Sequence, residues 1–550
     1  MRIFTDRWKL QNCEHRRTTV SHRPLIEALE LRWLLAGTSL TIAATDPTAS
    51  ETDPLRSGRG QFVIRRPTGP IAEPLTVKYT VTAASTATQG SDFYTLKGKV
   101  LFRAGARSAL VNLYPRNDSL VEGDETVVIR IVNNTFPIIS RQTTITVRDN
   151  DPETASPPAG WWNTSWRFRT PISVSVGAFA RADYPVQRPI NFTTILSRLG
   201  RSGALIEESI RVIEYASDGK SVIDENVPFQ FDKASGYDAA SNASGTLVFL
   251  VKGETVADEV RRYQVYFDTT GNFTAPTFTP LVRVTDNVTD ESFESVQIET
   301  SVATYFYQKA EGGFSSIVDA DGNDWVSWNS NSNPGSAGGF RGIPNMGPAG
   351  FHPGAGHDVI TRIVSRGPLR AVLESADSDG NMVRWEFYPT FARQTVLSMN
   401  QPYYFLYEGT PGGALDGNDT VVLSDGSVHS INETWNDTNG LGSENGQEWV
   451  YFRDSQVGAN GRYFYFVHDT PDQLEDSYFN LEDNMTVFGF GRHNNPGAPP
   501  DQLLSVVPNV FTMGLSDAGG GADFAAASAM INGVYRPVRT IVGVSQHWAG

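Results

Sequence analysis

Four acidic residues fall within nine positions in Asn117-Asp118-Ser119-Leu120-Val121-Glu122-Gly123-Asp124-Glu125, which runs straight into an alternating strand pattern at 126–132. A second acidic knot, Asp149-Asn150-Asp151, closes a strand pattern at 143–148. Both lie at strand ends, where the chain turns. Carboxylates packed this closely repel one another unless a cation neutralises them. A hard, oxygen-seeking ion such as Ca²⁺ is the usual partner and takes about six to eight oxygens. An isolated acidic run is otherwise a solvated loop. Two further pieces bear on the choice. Ala49-Ser50-Glu51 follows a strand pattern at 40–45, and Gly90-Ser91-Asp92-Phe93 precedes one at 99–103.

Together these pieces resemble the Calx-beta domain, a calcium-binding β-sandwich. The resemblance rests on Ser50-Glu51, Gly90-Ser91-Asp92-Phe93, Gly98-Lys99-Val100-Leu101-Phe102-Arg103-Ala104-Gly105, Asp118, Glu122 and Glu125, and Asp149-Asn150-Asp151, in the family's order across 38–152. It implies a calcium site at one end of the sandwich, with ligands at Glu51, Asp92, Asp118, Glu122, Glu125, Asp149 and Asp151. Asn117 stands where strong calcium binders carry another Asp, which implies fewer ions or weaker binding, since ligand charge tunes affinity.

The elements that must carry these residues are short strands. Leu75-Thr76-Val77-Lys78-Tyr79-Thr80-Val81 alternates apolar and polar without a fault, as a half-buried strand does. Similar runs at 61–65, 99–103, 109–114, 126–132 and 143–148 complete seven strands, the count of a sandwich of about one hundred residues. A Pro/Ala-rich stretch at 153–160 reads as a linker.

The whole chain has 550 residues, a net charge of −16, 39% hydrophobic content and one cysteine, Cys13. Its length predicts several domains. The 50 Gly and 31 Pro favour strands and turns, so the fold class is all-β. The acidic balance argues against nucleic acid as partner, and no apolar run is long enough for a transmembrane helix. Residues 1–37 differ in kind. The first 36 carry seven Lys/Arg against four acids, which leaves −19 for the remainder. Within them, Glu27-Ala28-Leu29-Glu30-Leu31-Arg32-Trp33-Leu34-Leu35-Ala36 resembles the Leu-Glu-Pro-Arg motif of exported planctomycete proteins, with Leu31 in place of proline. The segment is read as an export signal, which makes the protein secreted or cell-surface.

Residues 161–282 read as a second β-sandwich module with one short helix at 192–199, ended by Gly200. They open on Trp161-Trp162-Asn163-Thr164-Ser165-Trp166, either a sugar-stacking platform or a core plug. Residues 283–550 read as one large β-sandwich, of the supersandwich size. The Asp319-Ala320-Asp321-Gly322-Asn323-Asp324 run is an Asp-rich turn or a calcium loop. Gly/Pro-dense loops at 338–357 and 403–413 bring together Arg341, His352, His357, Tyr404, Tyr407 and Glu408, types that stack on and hydrogen-bond sugars. Arg341, His352, Tyr404 and Tyr407 are the expected substrate-binding residues, with Arg362 and Arg366 as a basic spot for an acidic glycan. No nucleophile elbow, zinc-protease helix motif or phosphate loop is present. The expected function is therefore a secreted calcium-binding modular protein. Its Calx-beta domain would be an adhesive or spacer unit, and its C-terminal domain would contact a polysaccharide, a cell surface or another extracellular protein. A polysaccharide lyase-like enzyme is the alternative.

Overall fold

The computed structural model describes residues 39–51, 58–66, 71–117, 123–132, 136–149, 158–333, 336–347, 350–354, 356, 358–437, 446–492 and 503–548. The chain divides into two compact units, Met1–Asp151 and Pro152–Gly550.

The first unit is a two-sheet sandwich of nine strands: β1 (Leu40–Asp46), β2 (Thr48–Ser50), β3 (Gly60–Arg65), β4 (Leu75–Val81), β5 (Lys99–Phe102), β6 (Ser108–Leu113), β7 (Glu125–Ile131), β8 (Ile138–Ser140) and β9 (Gln142–Arg148). One sheet has the order β6-β3-β1-β8 and the other β2-β9-β7-β4-β5. Alternate residues point inward, so Ile42, Phe62, Ile64, Val77, Tyr79, Val127, Ile129, Ile131 and Ile145 build one core. Two strands escaped the sequence pattern, β2 and β8, because three residues are too few to show a period. Pro47 separates β1 from β2. It has no N–H to continue the first ladder, and its carbonyl accepts from Thr146 N at 2.8 Å, in the opposite sheet. The chain thus changes sheets at Pro47, and β2 runs parallel to β9 with Ser50 beside Arg148.

The second unit contains two nine-stranded sheets that enclose one aromatic core, including Tyr305, Phe314, Trp325, Trp385, Tyr407, Phe452, Phe464 and Phe488. This is the large sandwich expected for 283–550. Its second sheet is covered on the outside as well. Tyr388, Trp449, Tyr451, Tyr463, Tyr465 and Val467 face a second core formed with Phe168, Val186, Phe249, Tyr263 and the helix Phe524–Tyr535. The strand Arg462–His468 is accordingly buried at every position. A strand covered on both faces reads as a continuous apolar run, not an alternation.

The 161–282 region supplies that outer layer. The strand Phe168–Ser175 lies next to Val260–Asp268 and, on its other side, to Arg539–Val542 from the far end of the chain. The short helix is Phe192–Arg198, where the side chain of Asn191 accepts from Thr194 N at 2.9 Å as N-cap. Regions 161–282 and 283–550, separate by sequence pattern, therefore share a sheet and a core within one compact unit. A polar hub reinforces the seam. Arg370 Nη2 meets Asp232 at 2.6 Å, its Nη1 meets Glu386 at 2.8 Å, and Gln230 Oε1 accepts from the N–H groups of Leu369 and Arg370.

Candidate functional site

At the acidic end of the sandwich, strand register does the positioning. Glu51 immediately follows β2, and its N–H donates to the Arg148 carbonyl at 3.1 Å, which sets it beside Asp149. Glu125 opens β7 opposite Val147 of β9. Asp149 Oδ2 accepts from Gly123 N at 2.8 Å, which ties the residue two before β7 to the end of β9. Asp92 sits in a turn that its own carboxylate closes by accepting from Thr88 N. The preceding residues 86 and 87 both donate to the Thr126 carbonyl, which anchors this turn on the start of β7, and the Asp92 carbonyl accepts from Arg116 N at 2.9 Å. Glu51, Asp92 and Glu125 are buried, at 3%, 5% and 7% exposure. Asp118, Glu122 and Asp151 lie outside the described residues. The four described carboxylates do not by themselves bring three oxygens within 4.8 Å of one another.

The residues expected around a C-terminal ligand site are placed less favourably. Tyr407 is fully buried, donates to the Trp325 carbonyl at 2.8 Å and stacks on Phe466. It is a core residue with no face left for a sugar, because the strand Phe405–Gly409 is buried on both sides. Arg341 spends its guanidinium on the carbonyls of Ser327 and Asn484, at 3.0 and 2.7 Å. His352 Nε2 contacts the Phe340 carbonyl at 2.8 Å and lies 3.6 Å from Glu408, which in turn accepts from Asn345 at 2.8 Å. Tyr404 is half-buried under Arg492, whose guanidinium lies 5.1 Å from its ring centre. The basic spot is neutralised. Arg362 pairs with Glu374, and Arg366 with Asp286 at 3.0 Å. His357 lies outside the described residues. Thus Arg341, His352 and Glu408 gather near one another, as loop-fastening groups.

The Asp319 run resolves as a turn. The Asp319 carboxylate accepts from the backbone N–H groups of Asp321 and Asn323 and from Trp325 Nε1, and it pairs with Arg462 at 2.8 Å. Burial opposes its charge, yet these donors hold it below the usual carboxylate range. Its oxygens are thereby occupied. Trp161 and Trp166 are a plug. Trp166 is 8% exposed, its Nε1 donates to the Ser209 carbonyl, and Trp161 Nε1 donates to the Trp166 carbonyl.

One polar cluster was not visible in the sequence. Glu448, His468 and Asp472 bring three ligand-type atoms within 4.8 Å. His468 Nδ1 meets Glu448 Oε1 and its Nε2 meets Asn509 Oδ1, both at 2.8 Å. The same Asn509 oxygen accepts from Val510 N, so it faces His468 as an acceptor and both ring nitrogens donate. Burial disfavours the imidazolium, but Glu448, with Asn509 and Asp472, outweighs it and raises the His468 pKa. Burial also raises the Glu448 carboxyl, so the two groups form a buried hydrogen-bonded pair in which both ring nitrogens are already engaged. Glu448 and His468 meet only through the pairing of neighbouring strands, which no local spacing announces.

A two-sheet β-sandwich with acidic residues at neighbouring strand ends on one side is the class this geometry defines. Residues 40–151 match the Calx-beta domain family. Among solved structures, the apo-form Calx CBD1 domain is 22% identical over 20% of this chain and 98% of its own, with a TM-score of 0.17. The calcium binding domain CBD12 of CALX1.1 is 18% identical over 40% of this chain and 74% of its own, with a TM-score of 0.18. HI1317 is 13% identical over 44% of this chain and 98% of its own, with a TM-score of 0.29. No curated protein matches the chain.

Proposed function

We propose that this is an exported modular protein whose Calx-beta domain binds Ca²⁺ and is stiffened by it, with the Pro152–Gly550 unit making contact with extracellular glycan or a cell surface. The observation that carries the calcium reading is the register that lines up Glu51, Glu125 and Asp149 on adjacent strand ends, with the Asp92 turn fastened beside them. Asp118, Glu122 and Asp151 belong to the same loops by sequence. An ion held there joins segments more than fifty residues apart, and anything that binds only the folded state stabilises it, by ~2.7 kcal/mol at a hundred times Kd. Export is supported by the basic first 36 residues ahead of an acidic remainder. Among the described residues, no helix is long and apolar enough to cross a membrane.

The test is thermal unfolding of the full chain with calcium and with chelator. Calcium should raise the melting temperature of the first unit, and the pair Asp149→Asn with Asp151→Asn should abolish the rise. Identical melting with calcium and with chelator would refute the reading.

A further inference from the structure

A cleft of about 570 Å³ lies beside the tryptophan plug, lined by Trp162, Asn163, Arg211, Glu225, Asn226 and Phe278. Its volume is that of a small-ligand site, roughly 300–1,000 Å³. Trp161 and Trp166 are spent on the plug, but Trp162 is half-exposed on the cleft wall. Its ring leans on Trp166 at 4.8 Å, and its Nε1 donates to Glu225 Oε2 at 2.8 Å. Both contacts fix the ring in place, so stacking a ligand on it costs little side-chain entropy. Arg211 is held just as firmly. Its guanidinium lies 5.2 Å from the Trp166 ring centre, and it donates to the carbonyls of Glu208, Ile210 and Thr274. Among the described residues no carboxylate pairs with it. Glu225 and Asn226 stand exposed at the rim.

We propose that this cleft is a binding subsite for a neutral sugar chain. An aromatic face covers sugar C–H surface, while a fixed donor (Arg211), a fixed acceptor (Glu225) and two amides offer both halves of the hydrogen bonds that a hydroxyl pair needs. One guanidinium and one carboxylate leave the cleft without net charge, which favours a neutral glycan over a uronate. The inference deepens the glycan-contact reading and rests on it, but it moves the contact from the large sandwich to the 161–282 layer.

Titration calorimetry of the full chain against cellohexaose, xylohexaose, mannohexaose, laminarihexaose and hexagalacturonate tests it. At least one neutral hexamer should bind and quench tryptophan fluorescence, with chelator making no difference. Glu225→Gln and Asn226→Ala, both exposed and safe for folding, should each weaken binding about tenfold, the loss of ~1.4 kcal/mol. Trp162→Ala should abolish it. Binding lost in Arg341→Ala with Tyr404→Ala but intact in the cleft variants would overturn the subsite while supporting glycan contact elsewhere. Binding of hexagalacturonate alone would overturn the neutral-sugar assignment, and silence across all five would overturn both readings.

Discussion

Asp419 enters the interior at 2% exposure opposite Asp454, with which it is paired in register. Its Oδ2 accepts from Asp416 N at 2.8 Å, and its Oδ1 is buried without a partner. Burial, reinforced by the charges of Asp454 and Asp416, pushes its pKa up to about 8. In the unfolded chain the same group loses its proton near ~3.9. Between these values the folded state holds the extra proton, so stability falls as pH rises from about 4 to about 8. His468 acts in the same sense. Its raised pKa gives stability that is complete below ~6.5 and lost as pH climbs through the folded value. Asp419→Asn should therefore flatten the alkaline decline without abolishing it, and should raise the melting temperature of the Pro152–Gly550 unit at pH 8 by on the order of 2–4 °C. Unchanged melting profiles from pH 5 to 9 would sink this reading. Legibility at this scale was uneven. The positions of Glu51, Asp92, Glu125 and Asp149 at turns and strand ends are legible because each stands next to a turn or strand signal in its own segment. The burial of Tyr407 is not legible in its segment, because a Tyr/Phe-rich strand reads alike whether one face or both are covered. Only the packing of Trp325 and Phe466 around it decides.

Individual strands in the first unit are held to tight tolerances. A Cβ placed on Gly60, at the start of β3, would come within 2.7 Å of Ile145 Cγ2 and 3.2 Å of Ala49 Cβ. The two sheets close to contact there, just where β2 and β9 approach the acidic end. Gly60→Ala should destabilise the sandwich by ~1–3 kcal/mol, the usual cost of overpacking. It should also weaken the calcium response, since β2 leads directly into Glu51. Chemical denaturation with and without calcium measures both. A stability loss with an undiminished calcium shift would detach β2 from the site. Most strands of this unit were readable from period-two alternation because each has one buried face. In the second unit some strands are covered on both faces, as in Arg462–His468, so they show no alternation and only a continuous aromatic run marks them. The pairing of Arg539–Val542 with Phe168–Ser175 could not be read at all, because register between distant segments leaves no local pattern.

At the scale of the whole molecule, two compact units predict two unfolding transitions, of which chelator should shift only the one belonging to Met1–Asp151. The seam inside Pro152–Gly550 predicts the opposite for a cut near residue 283. An isolated 161–282 fragment lacks the strand Arg539–Val542 and leaves Tyr263, Val265 and Phe249 without the aromatic wall of Trp449, Tyr451 and Tyr465. It should show no cooperative melting by circular dichroism, whereas 152–550 should melt as one body. Removing Arg370 tests the same seam by point mutation. Arg370→Met strands Asp232 and Glu386 in a largely buried setting and should cost roughly 3–5 kcal/mol.

The pairing of Ile172 with Val542 also has a consequence in time. A ribosome adding about 5–20 residues per second needs roughly 20–70 s to travel from one partner to the other. Throughout that interval Phe168–Ser175 is a nascent sheet edge with an open ladder, the geometry that invites pairing with a neighbouring chain. The protein's most exposed moment is thus its synthesis, and its demand for a chaperone should end when the closing strand arrives.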